Sequence, residues 1–261
     1  MLRFASLASG SGGNCTVAEA RDGTRATRVL IDCGLNLTDC ERRLSRLGLA
    51  PSDITAILVT HEHGDHADGV FTFAASHSIE VFLTHGCLSV MQEAGRVPEG
   101  VRTTIVTSRG PVAIDAMEIH PFTVPHDARE PVQYIVSDGA SKLGVLTDIG
   151  TSTVHVEQKL SGLDALVLEC NYDLDMLWAG TYPKWLKQRI AGPFGHLDNR
   201  QSERLLSVID RSRLKHVIGA HLSQQNNKPE LARAALARAM NCEESWIGLA
   251  TQDDGFGWRD A

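Results

Sequence analysis

The stretch that most constrains this chain is "THEHGDH" at 60–66, which follows the apolar run "DITAILV" directly. A β-rich buried strand has to end where these seven residues begin. Alternate side chains of an extended segment share a face, so His61 and His63 can hold one ion. As the chain then turns toward a helix, Asp65 and His66 can face a second position. Imidazole and carboxylate donors of this kind suit zinc, iron or manganese. The bland alternative is a surface loop rich in histidine. Four ligand-type residues packed behind a buried strand argue against it.

More ligands are needed, and other strand ends supply them. His126 follows a strand and Pro125 in "TVPHDA", Asp148 closes the apolar run in "VLTDIG", and His221 ends "VIGAHLS". Each alone reads as a cap or loop residue; together with 60–66 they converge on one edge of a sheet. His120 competes with His126 but lies inside a strand, in "MEIHPF", so His126 is preferred.

Short β runs fill the N-terminal part, and "SGSGGN" and "RDGT" between them are turn-like. Helices are expected at 38–47, 67–77, 86–94, 152–160, 182–191, 200–211 and 229–241. Strands that come in runs and also alternate with helices predict a layered α/β body of mixed sheets. No linker or repeat divides the chain, so residues 1–261 are expected to form a single domain. Its net charge of −7 argues against wholesale nucleic-acid binding without excluding a local basic patch. No apolar run is long enough to span a membrane, and the opening "MLRFASLASGSGGN" does not read as a secretory signal. A cytoplasmic protein without membrane contact is expected. No C-x-x-C pair occurs among the six cysteines, which are expected to be free thiols.

The motifs assembled above resemble the metallo-β-lactamase fold superfamily. Its H-x-H-x-D-H motif is present whole as His61, His63, Asp65 and His66, and His126, Asp148 and His221 follow in the family's order. The resemblance implies an α/β, four-layer αββα sandwich of two mixed β-sheets with helices on both outer faces. It also implies two divalent metal ions, zinc foremost and manganese or iron as alternatives. His61, His63 and His126 would hold one ion and Asp65, His66 and His221 the other, with Asp148 bridging. A hydroxide between the ions would be the nucleophile, which places Asp65 among the catalytic residues.

Only 21 residues separate His126 from Asp148, and 72 separate Asp148 from His221. That leaves no room for the exosite arm of tRNase Z or the inserted domain of the β-CASP nucleases. "SLASGSGGN", "LVTHEHGDH", "LVLECNYD", "GHLDN" and "HLSQQNNKPELA" are similar, in order, to segments of the YycJ/WalJ-like branch. That branch is associated with 5′→3′ exonuclease activity on DNA, which makes DNA, ahead of RNA, the implied substrate. Gly13 replaces the branch's usual hydroxyamino acid, and "GHLDN" replaces "GHLSN".

His196 is surplus to the seven ligands. By the resemblance it takes the place of a His that donates a proton to the leaving oxygen. The alternative is a structural place beside the helix cap at Asp198 or Asn199. Residues 184–215 carry eight basic residues against three acidic ones. A polyanion groove is one reading and a solvated helix face the other. Arg200 and Arg204 are the phosphate-binding candidates there. By resemblance Asn14 approaches the site and is a further phosphate-binding candidate. Glu169 and Asn171 could orient ligands. Trp178, Tyr182 and Trp185 could stack on bases, but core packing is the expected use. The rival functions are a small-molecule hydrolase cleaving a cyclic phosphodiester, thioester or lactone, and a non-catalytic metal-binding sensor.

Overall fold

The computed structural model describes residues 1–23 and 25–261. The strands of the first sheet begin with β1 (Leu2–Ala8), β2 (Cys15–Asp22), β3 (Arg25–Ile31), β4 (Ala56–Leu58), β5 (Glu80–Leu83) and β6 (Thr103–Ile105). The second sheet holds β7 (Val112–Ile114), β8 (Met117–Thr123), β9 (Val132–Ser137), β10 (Lys142–Leu146), β11 (Ala165–Glu169), β12 (His216–Ala220) and β13 (Gly248–Leu249). The last strand, β14 (Phe256–Asp260), returns to pair with β1, giving the orders β14-β1-β2-β3-β4-β5-β6 and β13-β12-β11-β10-β9-β8-β7.

Both sheets follow one scheme. Pairing is antiparallel up to β3 in the first and β10 in the second, and parallel from there on. Parallel neighbours need crossover connections, which put helices on the outer faces. Those helices are α1 (Leu37–Arg46), α2 (Gly64–Ala67), α3 (Val70–His77), α4 (His85–Glu93), α5 (Val154–Leu160), α6 (Leu174–Ala179), α7 (Lys184–Ile190), α8 (Asn199–Val208) and α9 (Pro229–Met240).

Strand periodicity explains the layers. In β4, Ala56 and Leu58 pack toward the opposite sheet while Ile57 packs toward the helices. In β11, Ala165 and Val167 face inward while Leu166 and Leu168 face α5, α8 and α9. Three apolar layers result, one for each interface of a four-layer αββα sandwich. Burying each large apolar side chain stabilises by about 1.5–3 kcal/mol.

Two expectations need correcting. The helix read across 67–77 is broken between α2 and α3. Gly69 donates its N–H to the Cys33 carbonyl at 2.9 Å, and a Cβ there would fall 1.8 Å from the Leu35 carbonyl oxygen. The helix α6 was not foreseen; Asp173 caps it by accepting from the Met176 N–H. Among the described residues no helix is long and apolar enough to cross a membrane.

Where pairing switches from antiparallel to parallel, polar residues collect at the carboxyl ends of the strands. Asp32 follows β3, His61 lies just beyond β4, Asp148 just beyond β10, Glu169 ends β11 and His221 follows β12. Sites in open α/β sheets form at such ends.

Candidate metal centre

Asp32, Asp148 and His221 all have φ between 54° and 61°, the left-handed region. Such backbone costs about 1–3 kcal/mol per non-glycine residue and persists only where surroundings over-determine it. Here they do. His221 donates its N–H to Ser9 Oγ at 2.8 Å, Asp148 donates to Glu169 Oε1 at 3.1 Å, and Asp32 donates to the Leu58 carbonyl at 2.8 Å.

The seven sequence-selected ligands meet at this edge. Nitrogens of His61, His63 and His126 lie within 4.8 Å of one another, as do the ligand atoms of Asp65, His66 and His221. His126 Nε2 is 3.2 Å from His63 Nδ1, and His221 Nε2 is 3.2 Å from Asp65 Oδ2. Asp148 touches both groups: it clusters with His61 and His66, and its Oδ1 lies 3.3 Å from His221 Nδ1. His120 stays in β8, 3.3 Å from Glu118.

Proton bookkeeping tests whether this cluster fits a cation. Thr60 Oγ1 donates to Asp32 Oδ2 at 2.8 Å, so the 2.9 Å contact with His61 Nδ1 assigns the donating proton to that ring. His66 Nδ1 donates to Asp32 Oδ2 at 2.7 Å, and His126 Nδ1 to the Gly195 carbonyl at 3.1 Å. Each Nδ1 is thereby committed to the scaffold, and each Nε2 is turned inward. His61 Nε2 is buried without a hydrogen-bond partner. Asp148 Oδ2 is likewise buried without a hydrogen-bond partner of good geometry, 2.6 Å from His66 Nε2. Converging N and O donors, with no sulfur, are what a divalent ion of the zinc, manganese or iron kind requires.

Charge points the same way. Burial works against ionising Asp65, but contacts from His221 and His66 outweigh it and hold the carboxyl well below its ordinary range. Asp148 is also held well below, burial being overcome by His221 and His66. Burial pushes His61 down, and His66 adds to the effect. In His66 the burial penalty loses to Asp148 and Asp32, and the imidazole is raised. Burial opposes charge on His221 as well, but Asp148, Asp65 and Glu169 raise it to about 9, so the carboxylates hold protons on His66 and His221 that an entering cation would displace.

Above it opens a cavity of about 330 Å³. His63, Asp65, Asp148 and His221 form its floor, and Leu186, Arg189 and Ile190 of α7 form a wall. His196 lines it too. Its Nδ1 lies 2.8 Å from Glu169 Oε1 and 3.2 Å from Asp148 Oδ1. Burial disfavours the imidazolium, but the two carboxylates prevail and raise His196 to about 10. Glu169, fully buried, also accepts from the N–H groups of Asp148, Ile149 and Leu197. One carboxylate therefore sets both the Asp148 turn and the His196 ring. Asn171 donates to the His221 carbonyl at 2.9 Å.

Several sequence-selected residues lie elsewhere. Arg200 and Arg204 do not line the cleft. In α8 the buried face is Asn199, Ser202, Leu205 and Leu206, so both arginines project outward. Arg200 lies 3.7 Å from Asp175, and Arg204 borders a separate hollow with Thr151 and Glu157. The basic segment is also dispersed: Lys187 is buried, and Arg213 is bound to Asp164. Asn14 sits beneath the ligands, its amide within 3.3 Å of Asp65 Oδ2 and 3.1 Å of His66 Nε2. Trp178 and Trp185 are not core residues, being 48% and 64% exposed. The sequence reading missed Asp32, although a carboxylate closing "TRVLID" carries the same signal that found Asp148. It also missed Asp127, beside His126, which binds Arg189 Nε at 2.6 Å.

Residues 27–221 match the profile of a Beta-lactamase superfamily domain. The chain is 33% identical over 250 residues to Exodeoxyribonuclease YycJ of Bacillus anthracis, covering 95% of this chain and 92% of that protein. It is 29% identical over 255 residues to Exodeoxyribonuclease WalJ of Streptococcus pneumoniae serotype 2, covering 95% and 91%. Among solved structures, the metallo-beta-lactamase fold protein YhfI from Bacillus subtilis superposes with a TM-score of 0.74 at 14% identity, covering 100% and 99% of the two chains. Zn(2+)-bound PqqB from Methylobacterium extorquens gives 0.73 at 17%, covering 99% and 100%. The chain belongs to the metallo-β-lactamase superfamily, in its YycJ/WalJ-like branch.

Proposed function

We propose that this protein is a dinuclear metal-dependent phosphodiester hydrolase that removes nucleotides from DNA in the 5′→3′ direction. The observation that carries the reading is His196, a histidine beyond the seven ligands that lines the cleft and is anchored through Nδ1 by Glu169. Similarity to exodeoxyribonucleases along 95% of the chain supports DNA as substrate. His61, His63 and His126 would hold one ion and Asp65, His66 and His221 the other, with Asp148 between them. Zinc is the ion we favour; manganese and iron suit the same donors. Bound there, divalent ions supply Lewis-acid activation of water and neutralise phosphoryl charge.

The remaining work falls to the chain. Asp32 and Thr60 fix the ring orientations of His66 and His61. Glu169 holds His196 by one nitrogen, which leaves Nε2 to deliver a proton to the leaving oxygen. Arg189 on the wall, bound through Nε to Asp127, has its remaining N–H groups to donate to a phosphate beyond the cut.

The test is release of nucleotides from end-labelled DNA and RNA beside a chromogenic phosphodiester, with and without EDTA. EDTA-sensitive release from DNA 5′ ends is expected. Turnover of the chromogenic ester without release from any nucleic acid would instead make this a small-molecule hydrolase. His196→Ala should lower kcat on DNA by about 10²–10⁴-fold while bound metal, measured by atomic emission, stays at the wild-type level. Undiminished kcat would remove His196 from the mechanism.

A further inference from the structure

We infer that α7 and the end of α6 form an aromatic lip that grips a single-stranded DNA segment by base stacking, with Trp185 as its principal platform. The inference rests on the nuclease reading of the neighbouring cleft. Trp185 lies four residues before Arg189, so the two share a face of α7, about 6 Å apart along the axis. Arg189 lines the cleft wall. Trp185 therefore continues that wall outward by one helical turn, more than the roughly 3.4 Å between successive nucleotides of a stacked strand. A large flat side chain 64% exposed beside a polar cleft leaves most of its apolar surface uncovered by this chain.

The lip is rigid and keyed to the chemistry. Lys187 Nζ donates to the carbonyls of Trp178 and Gly180, both at 2.7 Å, tying the end of α6 to α7. His196 donates its N–H to the Ile190 carbonyl at 2.9 Å. A Cβ at Gly195 would lie 2.2 Å from that same oxygen, so the loop packs directly on the helix end. A base held on Trp185 is thereby fixed in register with His196. Lys184, exposed at the start of α7, adds positive charge, and Arg189, held through Nε by Asp127 at 2.6 Å, keeps the other N–H groups of a 55% exposed side chain for a phosphate. Stacking needs a base with a free face, which an unpaired strand offers at every nucleotide and a duplex only at its end.

The test uses metal-loaded protein and a labelled single-stranded oligodeoxynucleotide. Trp185→Ala should raise KM by about 5- to 100-fold, the worth of one base–aromatic stack. Trp185→Phe should keep most of the affinity. One abasic nucleotide at a single position relative to the cut should weaken the wild type comparably and cost nothing further in Trp185→Ala. An unchanged KM, or abasic and Trp185→Ala losses that add at every position, would overturn the proposal. So would light scattering that shows a dimer lost on Trp185→Ala, because the lip would then be covered by a second copy. Fluorescence anisotropy separates this proposal from the nuclease reading. Trp185-dependent binding without nucleotide release keeps the lip and removes the nuclease. Release that ignores Trp185 keeps the nuclease and removes the lip.

Discussion

His66 is held from behind by a carboxylate that contributes nothing to the cleft itself. Asp32, buried and in the left-handed region, accepts from the Thr60 N–H and hydroxyl and from His66 Nδ1. Removing such a support leaves the ligand present but free to turn. Asp32→Ala should therefore weaken metal binding by about 10–100-fold, with His66 intact. Competition against a chromogenic chelator measures it, and wild-type affinity would reduce Asp32 to a folding role. At this scale the sequence was most legible where spacing carries the chemistry. His61, His63, Asp65 and His66 declare themselves in seven residues, and His126, Asp148 and His221 by ending strands. Pairing was not legible. A sum of charges over 184–215 cannot tell that Lys187 caps α6 carbonyls or that Arg213 serves Asp164. Nor can composition tell an exposed tryptophan from a core one.

Within the elements, β1, β2 and β3 are cross-linked by one buried side chain. Glu19 in β2 pairs in register with Arg3 in β1 and Arg28 in β3, and Arg21 sits on the same face two residues on. Its oxygens lie 2.6 Å from the Nε of each of the three arginines. Burial opposes ionisation, yet the three guanidiniums win and lower the carboxyl from 4.5 to about 2. A depressed carboxylate contributes stability that is complete above its unfolded value and lost as pH falls toward the folded one. With discount for the exposure of Arg21, wild type should lose about 1–2 kcal/mol more than Glu19→Gln between pH 6 and pH 3. Urea midpoints on metal-free protein give the comparison, since protonation of the metal ligands is then common to both. Parallel losses would mean that the solvated arginines make the cluster energetically silent. The element boundaries themselves were largely legible from periodicity. The exceptions arose where tertiary contact decided: Gly69, wedged against Leu35, splits a helix whose apolar pattern runs on unbroken.

Over the whole molecule, the two sheets repeat one design, and each delivers candidate ligands from strand ends on one edge, on and around the switch from antiparallel to parallel pairing. Residues 61–66 leave the first sheet, while His126, Asp148 and His221 leave the second. Each proposed ion therefore draws on both sheets, and bound metal would staple the sandwich along one edge. Without it, His61 Nε2 and Asp148 Oδ2 are left buried with no hydrogen-bond partner. A ligand that binds only the folded state at 1,000 times its Kd stabilises by about 4 kcal/mol. For a chain of this size that is on the order of 10 °C in Tm. Chelation should lower Tm by about that much, and readdition of the cognate ion should restore it. The staple makes a sharper demand as well. Amide exchange should quicken at strand ends of both sheets, at Thr60 in the first and at Asp148 and His221 in the second. Quickening confined to residues 61–66 would mean that the first sheet alone carries the metal, and that the sheets are held together at this edge by their apolar layer without help from the ions.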